Sequence, residues 1–546
     1  MRHRHIALIA LLSLGLLAGA FAWARQETPN VPAHRFFHVQ LGASEEQPVS
    51  GRLLLFVSAA AAAKAQSRQG VVTEVDANPF HPTQTSIAAG EVDRLVPGQV
   101  IDIDADHLAF PAGWSKLPPG DYVVQAVLDV HHNYNYLGRS AGDIESGVVT
   151  VHLPDSAVPT LTLDKTVPAA DPWALPDSAP EAMRQAVAAA HEHSQLVDFV
   201  SPALSAFWGR PIHMLGHVLL PPDYQAGGGK RYPTVYFTHG FTGNNDRLVR
   251  PMAYVQAAMA SGRMPPMIWV FLDESSATGT HEFADSVNNG PWGQALTTEL
   301  IPYLEAHYRM DADANGRFLN GHSSGGWATL WLQTRYPAIF GGTWSTSPDP
   351  SDFHDFTGPD LYAPHANVYH KPDGTPWPLV RDNGKVIGTF EQFAKMERVL
   401  GPYGGQMASF EWVFSPRGKD GRPEQMFNRD TGDVDPAVVA YWRDHYDIAY
   451  RLQNDWPALK PDLDGKIHLY VGTADTFYLD GAAHRLKAVL DGLHARAEFR
   501  FVPGRTHFNL YKEGDDPYAL LTQISWAMYA VARPDSKLQP AVNHAP

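Results

Sequence analysis

Three side chains of this sequence have the types and placement that turn a hydroxyl into a nucleophile for a carbonyl. Ser323 sits in Gly321-His322-Ser323-Ser324-Gly325-Gly326. A short apolar run, Gly316 to Asn320, precedes it, and Trp327 to Leu332 reads as helix. Strand, Gly-x-Ser-x-Gly and helix together describe a nucleophile elbow, a sharp turn that holds the Ser in a strained conformation. The flanking glycines remove side chains that would clash with strand and helix. A Ser hydroxyl attacks poorly until a base takes its proton, and the base needs an acid to fix its tautomer and stabilise the imidazolium. Asp475 follows the strand-like run Ile467 to Gly472, and His507 follows Ala497 to Val502. Between them lies room for one crossover helix, Ala482 to Leu493, and one strand. Asp480 is the alternative acid.

The oxyanion of a tetrahedral intermediate needs two convergent N–H groups. The N–H of Ser324 is one, and its hydroxyl is given no role. The other comes from the loop after His239-Gly240, through Phe241. Asp349, Asp352, His354 and Asp355 form an acidic cluster that reads as a solvated loop at the mouth of the site in preference to a hard-cation site. His191 and His193 lie two apart on a helix and point to different faces, which argues against a shared metal. His131-His132-Asn133-Tyr134-Asn135-Tyr136 reads as a loop of the β region in preference to a carbohydrate contact. Trp292, Trp327 and Trp344 are candidates for lining a substrate pocket. No metal and no cofactor are expected.

These residues need elements that position them. Residues 25–166 hold short strand-like runs, among them Phe36 to Leu41, Arg52 to Val57, Val100 to Ile103, Asp121 to Val130, Gly147 to Leu153 and Thr160 to Leu163. Their spacing predicts an all-β, immunoglobulin-like sandwich. Residues 167–195 read as a linker with one short helix, Glu181 to His193. Residues 196–533 alternate strand and helix, with strands at Ile212 to Leu220, Tyr232 to Phe237, Met267 to Leu272 and Gly342 to Ser347 ahead of the two already named. This predicts an α/β domain on a mostly parallel sheet. Within it the pattern weakens over 348–461, a segment rich in aromatics, Pro and Gly, which reads as an insertion or lid. Residues 534–546 read as a tail.

With those strands in place, the chain resembles the putative esterase family of the α/β-hydrolase fold, which includes esterase D, feruloyl and acetylxylan esterases, enterochelin esterase and the mycolyl transferases. The resemblance rests on Leu219-Leu220-Pro221-Pro222-Asp223-Tyr224, on Tyr232 to Gly240, on Gly321 to Gly326, and on Tyr336-Pro337-Ala338-Ile339-Phe340-Gly341. It runs from about Leu196 to Ala532 outside the insertion. It implies Ser323, Asp475 and His507 as the triad, with Phe241 and Ser324 as oxyanion donors. Ser324 stands where many members carry Met. The insertion is unusual for the family and leaves the substrate class open.

Bulk properties bound the function. The formal net charge of −16 leaves no basic footprint for nucleic acid. With no cysteine, a thiolate nucleophile, thiolate metal ligands and disulfides are excluded. Met1 to His5 is basic, Ile6 to Ala20 is apolar, and Ala20-Phe21-Ala22 and Ala22-Trp23-Ala24 satisfy the small-x-small cleavage rule, so residues 1–24 read as a signal peptide. A periplasmic or secreted protein follows, with no stable membrane insertion after cleavage. The expected function is an exported serine esterase acting on a small-molecule or glycan-linked ester through an acyl-enzyme. Two alternatives are a non-catalytic polysaccharide-binding protein with a decayed hydrolase domain, and an acyltransferase or peptidase using the same triad.

Overall fold

Apolar alternation along single strands sends side chains into two different cores. In a computed structural model of the chain, residues 34–541 are described apart from 44, 135, 137, 155, 156 and 158. The expected signal segment lies outside the described residues. The N-terminal strands are β1 (Phe36–Leu41), β2 (Val49–Ala59), β3 (Ser86–Leu95), β4 (Val100–Asp104), β5 (Ala109–Phe110), β6 (Gly120–Asp129), β7 (Ile144–Ser146), β8 (Val149–Leu153) and β9 (Leu161–Thr166). On β2, Leu53, Leu55 and Val57 face one core, with Phe37, Trp114, Leu128 and Leu163. Leu54 and Phe56 face another, on the opposite side of the sheet.

An immunoglobulin-like sandwich would have two facing sheets. Here the strands form one bonded sheet in the order β4-β1-β9-β7-β6-β2-β3-β5, with β8 also on β6. The long strand β6 makes the join, because its first half pairs with β8 and its second half with β7. The region is built of strands apart from the helix Ala60–Gln66 and short helical turns, and an immunoglobulin-like topology is not shown by this pairing.

The second sheet holds β10 (Ser194–Val200), β11 (His213–Leu219), β12 (Thr234–Thr238), β13 (Ile268–Leu272), β14 (Arg317–His322), β15 (Gly342–Thr346), β16 (Ile467–Gly472) and β17 (Ala497–Val502). Its order is β10-β11-β13-β12-β14-β15-β16-β17. The β10, β11 and β13 pairings are antiparallel, and those from β13 through β17 are parallel. This is the α/β-hydrolase arrangement. Every residue of β13 is buried, as expected of a strand covered on both faces. Trp269 and Phe271 meet the helices Val249–Ala260 and Ala519–Ala532 on one side. Ile268, Val270 and Leu272 pack on the other. β10 carries no buried apolar pattern beyond Val197, which is why the sequence did not announce this edge strand.

The insertion is a built subdomain. It contains the hairpin Pro378–Asp382 and Lys385–Thr389 and the helices Phe390–Leu400, Gln406–Phe414, Pro436–Tyr446 and Ile448–Leu463. Their shared core is aromatic, with Phe353, Phe356, Phe410, Phe414, Phe427 and Trp442. It continues into Trp327 and Leu330 of α1 (Ser324–Arg335), the helix after Ser323, and into Leu469 of β16. Helix Gln406–Phe414 buries residues on several sides, and so leaves no clean helical period in the sequence.

The insertion also joins the N-terminal sheet. Met396, Val399 and Leu400 of α2 (Phe390–Leu400) pack on Leu54, Phe56 and Ile87. The Arg52 guanidinium donates to the carbonyls of Arg398 and Val399, the latter at 2.7 Å, closing the C-terminus of α2, where free carbonyls otherwise need partners. Met396 is fully buried in this seam. Met396→Ala is expected to lower the unfolding free energy by about 2–5 kcal/mol. Urea unfolding followed by tryptophan fluorescence measures it, and a loss within about 0.5 kcal/mol would show that this seam is not a packed core.

Candidate active site

Ser323 follows β14 directly and has φ +61° and ψ −125°, a conformation costly for any residue with a Cβ. Its neighbours leave it no choice. Its N–H donates to Thr346 O at 3.0 Å, while its carbonyl accepts from Trp327 N at 3.0 Å and Asp349 N at 3.2 Å. A Cβ on Gly321 would lie 2.2 Å from the Gly325 carbonyl oxygen, so the turn closes only around a glycine.

Three residues past β16, Asp475 is fully buried. Its Oδ2 lies 3.0 Å from His507 Nδ1, and its Oδ1 accepts the Phe477 N–H at 2.9 Å. Burial by itself would raise this carboxyl. The facing His507 ring, the Phe477 N–H and the Ser347 hydroxyl outweigh it and hold the group below the ordinary carboxylate range. Asp480, the alternative acid, is instead bonded to Arg381 Nη2 at 2.8 Å. The same Arg381 donates through Nε to the Asp475 carbonyl at 2.7 Å. His507 is 4% exposed and is packed by His322, Phe477 and Phe508, with ring centroids 4.4, 4.9 and 5.3 Å away. His322 lies 3.1 Å through Nδ1 from Thr346 Oγ1. Burial, then the neighbouring His507, pulls His322 down to about 3, so it is a neutral spacer. Ser323, His322 and His507 line one cavity of about 430 Å³, and Gly240, Phe241 and Asp349 share it.

The loop after β12 runs directly over Ser323. A Cβ on Gly240 would come within 2.9 Å of the Ser323 Cβ. Both ends of the loop are tied to Asp273. Its Oδ1 lies 3.0 Å from His239 Nε2 and its Oδ2 accepts the Asn245 N–H at 2.9 Å. Burial opposes a charge on His239, but the Asp273 and Glu274 carboxyls prevail and raise it. Glu274 itself is fully buried, accepts from Thr238 Oγ1 at 2.8 Å, and is pushed by burial up to about 8. The His239–Asp273 pair went unnoticed in the sequence. Its signal is close to that of Asp475, an acid within three residues of the end of a parallel strand.

Several expectations change. Ser324 is fully buried at the start of α1, and its hydroxyl donates to Asp349 Oδ2 at 2.7 Å, so that hydroxyl is engaged. The acidic cluster is solvated only in part: Asp349 and Asp352 are 3% and 5% exposed, whereas His354 is exposed and Asp355 half-buried. Among the described residues no group of three metal-ligating side chains could hold a metal ion. None of the three tryptophans lines the cavity around Ser323. Trp327 stacks with Trp331, Trp344 stacks on His468, and Trp292 stacks on His281. Phenylalanines take their place. His191 stacks on Trp173, and His193 lies 2.9 Å through Nδ1 from the Ala189 carbonyl. Tyr136, in the loop read as β-region connection, reaches the cavity.

Comparison with known proteins gives this arrangement a family. A sequence model of the family described as Putative esterase matches residues 205–508, more than half of the chain, and the chain belongs to that family. An esterase of Mycobacterium tuberculosis is 30% identical over 142 residues, which cover 26% of this chain and 30% of that protein. The iron(III) enterobactin esterase of Dickeya dadantii is 27% identical over 135 residues, covering 23% and 31%. The matches thus span under a third of the length of these curated relatives. Among solved structures, a ferulic acid esterase is 15% identical with a TM-score of 0.37, covering 62% of this chain and 98% of that chain. An S-formylglutathione hydrolase from Agrobacterium tumefaciens is 14% identical with a TM-score of 0.38, covering 63% and 95%.

Asp349 gives the site a pH signature. Burial raises its carboxyl to about 6, against the Ser324 bond and the nearby His507. A carboxyl raised on folding contributes stability that is complete below the ordinary carboxylate range and is lost as pH rises through about 6. Asp349→Asn cannot ionise. Its stability relative to the unsubstituted protein is expected to improve between pH 4 and pH 7.5, by up to about 3 kcal/mol. Paired thermal melts across that range measure it, and a pH-independent gap would sink the assignment.

Proposed function

We propose that this member of the family is an exported serine esterase that hydrolyses carboxylic esters through an acyl-enzyme on Ser323. What carries the reading is the strained Ser323 facing the same cavity as a buried His507–Asp475 pair. In the first step Ser323 Oγ bonds to the ester carbonyl carbon and its proton passes to His507 Nε2. The carbonyl oxygen becomes an oxyanion under the N–H groups of Phe241 and Ser324. The carbon–oxygen bond to the alcohol then breaks, and His507 returns the proton to the departing alkoxide. Water attacks the acyl-enzyme in the second half, His507 takes the water's proton, and the carboxylic acid leaves as Ser323 recovers its hydrogen. Asp475 holds Nδ1–H and stabilises the imidazolium throughout. Export is supported by the basic and apolar N-terminal sequence, and the N-terminal residue of protein recovered from the periplasm or medium tests it.

A fluorophosphonate probe is expected to label Ser323. Ser323→Ala should abolish labelling and lower kcat on an aryl ester by about 10⁴–10⁶. Asp475→Asn, which keeps the shape but offers the wrong hydrogen-bonding partner, should lower it by about 10⁴. Full hydrolysis by Ser323→Ala would overturn the mechanism.

A further inference from the structure

The cavity at Ser323 is not made by the α/β domain alone. Two of its aromatic walls come from loops of the N-terminal sheet, Phe80 between β2 and β3 and Tyr136 between β6 and β7. They pack on different rings. Tyr136 stands 6.1 Å from the ring of Phe241, on the side where the oxyanion loop passes, and 5.7 Å from Phe393. Phe80 stands 5.5 Å from Phe508 and 6.5 Å from Phe477, the two rings packed on His507.

The chemistry of the reaction gives these two sides different meanings. The alcohol oxygen must reach His507 to collect its proton, so the alcohol extends toward Phe80. The acyl group extends the other way, toward Tyr136. The two sides also differ in enclosure. Phe393, Met407 and Phe410 around the Tyr136 side are each 4–5% exposed, whereas Phe508 is 65% exposed. An acyl group on the Tyr136 side would meet buried apolar side chains, while an alcohol on the Phe80 side would lie along a ring open to solvent.

Tyr136 is also fixed in place. Its hydroxyl donates to Glu397, and the Glu397 carboxyl accepts the N–H groups of Gln406 at 2.7 Å and Met407 at 3.0 Å. That one carboxyl therefore ties the Tyr136 ring to the start of the helix that brings Met407 and Phe410 to the cavity.

We infer that Tyr136 and Phe80 are specificity residues: Tyr136 ends an apolar acyl pocket for groups larger than acetyl, and Phe80 guides an apolar or aromatic alcohol. The assignment rests on the serine esterase reading of the same site. It makes the N-terminal sheet part of the active site.

The test uses the full-length protein and two substrate series. One holds the 4-nitrophenol leaving group constant and varies the acyl chain from acetyl to dodecanoyl. The other holds the acyl group constant and varies the alcohol from methyl to naphthyl. Tyr136→Ala opens the pocket and should raise kcat/KM for the longest acyl chains relative to butanoyl by ~10-fold or more, while Tyr136→Trp should shift the optimum to shorter chains. Tyr136→Phe keeps the ring and should keep the unsubstituted profile. Phe80→Ala should leave the acyl profile alone and lower the naphthyl-to-methyl preference about 5-fold. Fluorophosphonate labelling reports the state of Ser323 in every variant. If labelled Tyr136→Trp and Tyr136→Ala both keep the original acyl profile, the wall assignment is wrong although the esterase reading stands. If the unsubstituted protein neither labels nor turns over any ester, the esterase reading itself has failed.

Discussion

The hydrogen bond from Ser323 N–H to the Thr346 carbonyl continues the β14–β15 ladder up to the residue where the chain reverses. A residue with a Cβ at φ +61° costs on the order of 1–3 kcal/mol, and the fold must impose it. The ladder holds one side of the turn, α1 holds the other through Trp327, and Asp349 N–H pins the Ser323 carbonyl between them. The reward is positional. The Oγ stands clear of its own backbone at the edge of the sheet, where the loops after β12, β16 and β17 also arrive.

Charge is managed around this turn by separation of roles. Asp475 stays ionised because it has a ring, a backbone N–H and a hydroxyl to face. At Asp349 and Glu274 burial outweighs the facing His507 and His239 and raises the carboxyls to about 6 and about 8. As pH rises Asp475 therefore ionises first, Asp349 next and Glu274 last. Buried ion pairs stabilise weakly but fix geometry when each partner is satisfied. The His239–Asp273 pair follows that rule, since it closes both ends of the loop over Ser323.

The same economy extends across the chain. The insertion shares one core with the face of the α/β sheet and a second with the back of the N-terminal sheet. Neither the insertion nor the N-terminal sheet can shift without exposing apolar surface, at roughly 25 cal/mol for each Å² uncovered. That fixed relation is what allows Phe80 and Tyr136 to stand within van der Waals reach of rings from the α/β domain.

Local pattern was enough for the parts of the site that lie just past the ends of recognisable strands. Ser323, Asp475 and His507 each follow such a strand, and strand ends are where an open parallel sheet gathers its reactive groups. The strands Ile467 to Gly472 and Ala497 to Val502 and the helix Glu181 to His193 could be read to the residue, because period and flanking turns act over short distances. What remained hidden depends on groups far apart in sequence. The Ser324 hydroxyl gains its role only when Asp349 is brought 2.7 Å away. The three tryptophans looked like a pocket by chemistry alone, but packing sent each into a stack outside the cavity. The single nine-stranded sheet and the aromatic walls from Phe80 and Tyr136 were likewise decided by tertiary contact. The sequence by itself determined which groups could react and the order of the elements that carry them, because those follow from side-chain type and local period. Only the tertiary structure decided which surfaces meet around Ser323, because burial and long-range pairing select among many locally equivalent arrangements.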